Sequence, residues 1–393
     1  MLRSLFDFFS SLKLTIVSLS AAMILIFVGT LAQVNFGIHE VQARYFQSLF
    51  VWWPDGSQGL QIPVFPGGHL IGAFLLLNLI TAHLRRFRWS WAKLGIHFTH
   101  AGLIVMLAGG LFTDLFSVES FMRLAPGETK NYSEDSRKVE LAVIDTSDKD
   151  FDQVTAIPEG ILKRGKIITF DSLPFRIIVR RFYQNSRLLP LEKARQDAMP
   201  AATEGVGAQV EILEAPQATA ENDSDLVSAI IEITPIPTVG KAAGQSLGTW
   251  LISDQLSTTP QIFSYGGKSW QLVMRRERYY KPYSLTLQTF THEHYAGTGI
   301  AKNFASRATL IDPECKENRD VLIYMNHPLR YRGETFFQSG FEKNDSATVL
   351  QVVYNPSFIA PYAACVIVAF GLLFQFAFHF SEFLRRKNTC RTQ

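Results

Sequence analysis

The sequence predicts an integral membrane protein: four transmembrane α-helices and one large extracytoplasmic domain, all-β and sandwich-like. Three observations predict it. Four apolar runs are each long enough to cross a bilayer. The basic residues gather in three places that all fall on one side of a four-span chain. The interval between the third and fourth runs, Ser117–Ser357, alternates as strands do and shows no long helical period.

The first run, Leu14–Val34, is longer than the apolar core of a signal peptide and reads as a span. The second is Pro63–Leu84, with His69 near one end, and the third is Leu94–Phe116. The fourth, Phe358–Phe380, follows the long polar interval. Arg3 and Lys13 flank the first run; Arg85, Arg86, Arg88 and Lys93 lie between the second and third. Arg385, Arg386, Lys387 and Arg391 follow the fourth. Positive residues stay on the cytoplasmic side, so both termini are expected there, with Asn35–Ile62 and Ser117–Ser357 outside. Trp52 and Trp53, in the outer loop, read as interfacial anchors rather than a stacking platform. The expected divisions are a membrane region 1–116, a β-rich domain 117–357, and a last span with its tail, 358–393.

Composition excludes several classes. The net charge is +3 over 393 residues, and the cations sit beside apolar runs, so no nucleic-acid surface is indicated. Cys315, Cys365 and Cys390 are far apart, and no Cys-x-x-Cys or Cys-x-x-Cys-His occurs. The chain is therefore neither a thiol oxidoreductase nor a c-type cytochrome.

Within Ser117–Ser357 the strand-like runs are KVELAVID, FRIIVRRFY, AIIEITPI, SWQLVMRRERYY, YSLTLQTF, DVLIYM and TVLQVVY. They are rich in β-branched and aromatic residues and are separated by turn residues such as Gly266-Gly267. Gln184–Asp225, polar and rich in Ala and acids, reads as a flexible excursion or a partly helical one. His292 and His294 share a strand face with Glu293 between them. That allows a metal site, but no third ligand is identifiable, and a solvated strand end is the alternative.

The chemistry points to the third span. An ionisable side chain at membrane depth is costly and marks a functional position. His97 and His100 stand at i and i+3, hence on one face. With a rise of ~1.5 Å per residue, His100 lies roughly 9 Å beyond Leu94 and His97 about half as far. His97 is placed to snorkel to the headgroups; His100 is either hydrogen-bonded to a neighbouring helix or available as a ligand. Neutral imidazole is a good axial ligand for haem iron, and Ala101, Gly102, Gly109 and Gly110 would let a bulky partner approach.

FFSSLKLTIV (Phe8–Val17), GIHFTHAG (Gly95–Gly102), MNHPLRYRGETFFQSGF (Met325–Phe341) and LQVVYNP (Leu350–Pro356) together resemble the ResB family, also called CcsB. That family is the membrane-anchored component of System II cytochrome c biogenesis. The resemblance implies a subunit that is not catalytic alone but works within a haem-ligation complex. Its implied partner is a CcsA-like (ResC) multi-span protein bearing a tryptophan-rich WWD segment; thiol-reducing maturation proteins are further possible partners. The pair would move haem b across the membrane and attach it to Cys-x-x-Cys-His apocytochrome c. The implied location is a bacterial cytoplasmic membrane, or a thylakoid in a plastid or cyanobacterium. WWPD at Trp52–Asp55 is only a superficial echo of the partner's segment.

By motif position, the resemblance puts an intramembrane ligand to haem iron in GIHFTHAG, with His100 the better match and His97 the next. His83 and His379 are lesser candidates for that ligand; both lie close to basic residues and read rather as interfacial. Arg85, Arg86 and Arg88 are candidates to pair with propionates, against a role as topology determinants only. His327, Arg330 and Arg332 are candidate partner contacts, against a turn in which Pro328 and Gly333 supply the geometry. Two other classes stay open: a haem b subunit of a quinone oxidoreductase, which needs histidines from two helices, and a membrane-anchored β-domain scaffold.

Overall fold

The computed structural model describes residues 2–391 apart from 54–60, 88, 166, 194–197, 217, 219–223, 237–244, 295–300 and 343–345. Two compact units are present. One comprises Met1–Val118 with Tyr354–Gln393, the other Glu119–Ala218 with Asn222–Val353.

The first unit holds four helical stretches long and apolar enough to cross a membrane: Leu12–Phe46, Gly68–Arg85, Trp91–Phe116 and Ala360–Lys387. A short helix, α1 (Leu2–Phe9), precedes them. Ser11 accepts a hydrogen bond from the Lys13 N–H and caps α2 (Leu12–Val41). Gly37, at φ +74°, kinks α2 in a conformation that L-residues with a side chain rarely adopt. A π-helical turn, Gln42–Phe46, then leads to β1 (Phe50–Trp53). This strand pairs antiparallel with β2 (Ile62–Pro66).

The second span therefore begins at Gly68, with α3 (Gly68–Arg86), and not at Pro63. Pro63 and Pro66 lack an N–H and are suited to a short two-stranded ribbon rather than a helix interior. Asn78 is the polar tie between spans. Its Nδ2 donates to the Phe9 and Ser11 carbonyls at 2.6 and 3.0 Å, and its Oδ1 accepts from Thr15 Oγ1 at 2.6 Å. All of its partners are supplied by the α1–α2 junction, so this buried amide orients α3 rather than costing stability.

The third span is α4 (Leu94–Phe116). A small helix, α5 (Glu159–Lys163), belongs to the other unit, and the fourth span is α6 (Ala360–Arg391). Gly95, Gly102 and Gly109 recur every seventh residue of α4 and so share a face. A Cβ at Gly102 would stand 2.5 Å from Val368, one at Gly95 2.5 Å from the Gly371 carbonyl, and one at Gly109 2.4 Å from Ala360. These glycines are the seat of α6. Gly102 and Gly109 therefore do not make room for an external bulky group, as expected above; the neighbouring helix uses that space.

The second unit is β-rich. Its strands are β3 (Val118–Leu124), β4 (Thr129–Asp145), β5 (Gln153–Pro158), β6 (Ile167–Ile168), β7 (Phe175–Tyr183), β8 (Ser186–Pro190) and β9 (Val210–Glu214). There follow β10 (Ser228–Pro235), β11 (Thr249–Ser253), β12 (Gln261–Tyr265), β13 (Lys268–His294) and β14 (Ala301–Asp312). The last are β15 (Glu317–Tyr324), β16 (Leu329–Tyr331), β17 (Glu334–Phe341) and β18 (Thr348–Tyr354). A ten-stranded sheet runs β15-β14-β13-β4-β3-β18-β17-β16, with β5 on β4 and β12 on β13. It is nearly closed: its two ends, β15 and β16, are joined by a tight turn and a bridge between Tyr324 and His327. A four-stranded sheet, β11-β10-β7-β6, forms a second layer.

Two cores result. In the first, Leu141 and Val143 of β4 and Trp270 and Leu272 of β13 pack with Phe175 and Ile177 of β7 and Ile231 and Ile233 of β10. This is a sandwich. In the second, Leu285 and Leu287 of β13, Leu310, Ile323, Phe336, Leu350 and Met122 fill the inside of the curled sheet. β13 serves both cores. The sequence reads it as two strands, SWQLVMRRERYY and YSLTLQTF; the structure runs them together, with irregular register at Arg276/Arg278 and Tyr280/Leu285.

The excursion Gln184–Asp225 also differs from expectation. Its described part holds β8 and β9, paired from Ser186–Glu214 to Pro190–Val210, with Ser186 and Gly207 buried. Its strands are only five residues long, too short for an alternation that stands out against the polar background. Residues 194–197, 217 and 219–223 lie outside the described residues.

Candidate functional site

Helix α4 presents two faces. The glycine face is taken by α6; the face carrying His97 and His100 meets α3. There His83, on the last turns of α3, lies edge-to-face against both histidines, with ring centroids 5.1 Å from His97 and 5.8 Å from His100. Phe87, the first residue to leave the helical conformation, folds over the group at 5.7 Å from His83 and 4.7 Å from His97. All three imidazoles are half-buried. The structure thus brings His83, a lesser candidate read rather as interfacial, into the cluster. Sequence reasoning also missed Phe87.

A signal for this was present. Only residues 87–93 separate α3 from α4, so the two helices form an antiparallel hairpin. In such a hairpin, residues equidistant from the turn stand at equal height. His83 precedes Ser90 by as many residues as His97 follows it.

The other candidates scatter. Arg85 donates to Ser10 Oγ at 2.7 Å and pairs with Asp7 Oδ1 at 2.8 Å, which fastens the end of α3 to α1. Arg88 and the side chain of Arg86 lie outside the described residues. His379 is on α6, with its Nε2 2.7 Å from Gln375 Nε2 and its Nδ1 3.8 Å from Glu382.

In the β unit, the His292 ring lies against Phe304 and Phe341, at 4.6 and 4.3 Å between centroids. The side chains of Glu293 and His294 lie outside the described residues. Among the described residues no group of three or more His, Cys, Asp or Glu could hold a metal ion. Such a group requires donor atoms converging on one point, and among the three membrane imidazoles His83 meets the other two edge to face instead.

Met325–Phe341 forms two tight turns. Asn326, at φ +61°, makes the turn from β15 to β16, where the His327 ring stacks on Tyr324 at 4.7 Å. Arg332 and Gly333, at φ +44° and +81°, make the two-residue turn from β16 to β17, because both central positions of that turn need positive φ. Arg332 is held there by Asp312, whose side chain is fully enclosed: Arg332 Nε lies at 2.7 Å and the Tyr331 hydroxyl at 2.7 Å. His327 and Arg330 are exposed.

Burial pushes the Asp312 carboxyl up. Hydrogen bonds from Tyr331 and the Cys315 N–H, together with the Arg332 cation, outweigh burial and hold it below the ordinary range. A carboxylate depressed in the folded state contributes stability above its unfolded pKa, and that contribution is lost as pH falls through the folded value. Thermal unfolding of the protein scanned from about pH 6 to about pH 3 will show the midpoint falling through and below the ordinary carboxylate range. Asp312→Asn will lower the midpoint at the upper end and flatten the fall. An unchanged slope in the variant would remove Asp312 from the account.

Residues 257–352 match the ResB-like family. The matched stretch covers β12 to β18, essentially the curled half of the β unit, and does not include the histidine cluster. Protein NrfI of Wolinella succinogenes is 30% identical over 92 residues, which are 23% of this chain and 10% of NrfI. The chain thus spans about a tenth of that relative's length.

Proposed function

The chain is ResB-like through residues 257–352, and on that footing we propose that it is the membrane-anchored subunit of a System II cytochrome c biogenesis complex. In this reading, its β-domain stands outside the cytoplasm. With a CcsA-like multi-span partner it passes haem b across the membrane and supports attachment to apocytochrome c. The observation that carries the proposal is the meeting of His83, His97 and His100 on the α4 face that α6 leaves open.

Haem is the cargo, and the chemistry of the cluster suits it. Neutral imidazole binds iron, and the apolar helix surfaces around it accept the macrocycle. The rings touch edge to face, leaving no slot for a porphyrin plate between them. The arrangement therefore offers the iron one imidazole from this chain, His100 in the first place, and leaves the second position to a partner. This argues against a haem b clamped between two helices of this chain. Phe87 would cover the edge of the cluster toward the basic connection.

A pyridine haemochrome spectrum of the purified protein tests the proposal. Haem is expected to co-purify with the protein co-expressed with its partner and not with the chain alone. Stoichiometric haem b on the chain alone would support the quinone-oxidoreductase class, and no haem in either preparation would leave only a scaffold.

A further inference from the structure

The α3–α4 seam has a second polar end. His69, at the start of α3, pairs through Nε2 with Asp114 Oδ2 near the end of α4, and Gln47 Nε2 donates to Asp114 Oδ1 at 2.8 Å. His69 precedes His83 by as many residues as Asp114 follows His100, about four helical turns, so each helix shows both of its groups on nearly one face. Beside this pair lies a cavity of about 610 Å³ bounded by α2, the π-helical turn, α3 and α4. We propose that it binds a neutral amphiphile of the quinone or quinol class. This goes beyond the haem reading and does not depend on it.

Three features carry the assignment. The first is shape. The polar end gives way to Leu76, Met106 and Leu107 about two helical turns deeper, roughly 10–12 Å along the axes. The volume is in the range of small-molecule sites. The second is room. Gly72 and Gly110 line the cavity, and a Cβ on either would meet nothing within 4 Å. Unlike Gly102, these glycines are not filled by a neighbouring helix.

The third feature is charge. No Lys or Arg lines the cavity among the described residues, and its one carboxylate is already engaged by His69 and Gln47. A phosphate or propionate would find no counter-charge there and would face Asp114. The amides of Gln33 and Gln42 and the His69–Asp114 pair offer both donors and acceptors. Such a set satisfies a ring carbonyl or a ring hydroxyl equally. The apolar wall then takes the ring and the start of a tail.

The test uses the full chain in dodecyl maltoside with decyl-ubiquinone as the probe, measured by equilibrium dialysis and extraction. Saturable binding at a single site is expected, competed by menaquinone. Gly110→Leu and Gly72→Leu each add a side chain from a Cβ position that is open, and are each expected to weaken binding at least tenfold, with unchanged helical circular dichroism and elution volume. Either variant suffices if the other fails to accumulate. Partition that does not saturate would overturn the proposal, as would equal binding by the glycine variants. So would displacement by phosphatidylglycerol or phosphatidylethanolamine as effective as that by menaquinone.

Discussion

His100→Ala is expected to abolish haem co-purification with the assembled complex and to lower cytochrome c maturation by at least about tenfold, while the protein accumulates normally. Changes around a metal ligand already cost roughly 10- to 100-fold, and on the proposed reading this variant removes the ligand itself. Alanine for imidazole would take away the proposed iron bond but also a polar group from the apolar span, so the helix should not be destabilised. Added imidazole should fill the vacated position and restore part of the activity, which it would not do for a packing defect. The neighbours refine the expectation. His83 and His97 touch the cluster, so each alanine variant should have a milder effect, and His83→Ala with His100→Ala should fall below His100→Ala alone. Wild-type maturation by His100→Ala without imidazole would refute the cluster as the haem station.

Glu334→Ala is the largest expected loss of stability. Lys281 lies at the bend of β13, between the two cores, with its side chain only 3% exposed. Its ammonium donates to Glu334 Oε1 at the start of β17, and the Tyr283 hydroxyl donates to Glu334 Oε2. Removing the carboxylate leaves a buried cation without its counter-charge, which costs about 3–5 kcal/mol. Replacing the pair by apolar residues of similar size is tolerated far better. Urea unfolding of the detergent-solubilised protein, followed by tryptophan fluorescence, should show the midpoint of Glu334→Ala sharply lowered. Lys281→Met with Glu334→Leu should recover most of the loss. A Glu334→Ala midpoint equal to wild type would mean that water reaches Lys281 and the pair is not enclosed.

The spans were legible because burial in lipid requires long apolar runs, and Leu94–Phe116 coincides with α4 residue for residue. The start of the second span was misplaced because hydropathy does not separate an apolar ribbon such as Ile62–Pro66 from a helix; the prolines did. Most long strands were legible by alternation. The curling of the sheet was not, since it depends on which strands become neighbours, and β3 beside β18 is a pairing no local pattern records. At the site, the i, i+3 spacing of His97 and His100 gave one face of one helix. Hydropathy and basic loops assigned His83 to the interface, where an isolated span would hold it. Only the hairpin brings it to its neighbours, and that is a property of two helices together. The glycines of α4 illustrate the same limit. Small residues announce close approach but do not say what approaches, and here α6 takes Gly102 while Gly110 stays open.

The adjacency of β3 and β18 also bears on how the chain reaches its native state. Ser120 on β3 donates to the Val352 carbonyl on β18, so the β unit's first strand waits for its last. The membrane unit has the same arrangement: Thr113 on α4 bonds Ser357 at 2.7 Å, just ahead of α6. Nearly the whole extramembrane segment must be synthesised before either seam can close. Pairings of such long sequence separation are slow, because loop entropy is lost before the contacts form. The sandwich core, complete by β13, can condense early. The curled half keeps one edge of β3 open until the ribosome has passed Tyr354, which makes that edge the segment most exposed to mispairing during biosynthesis.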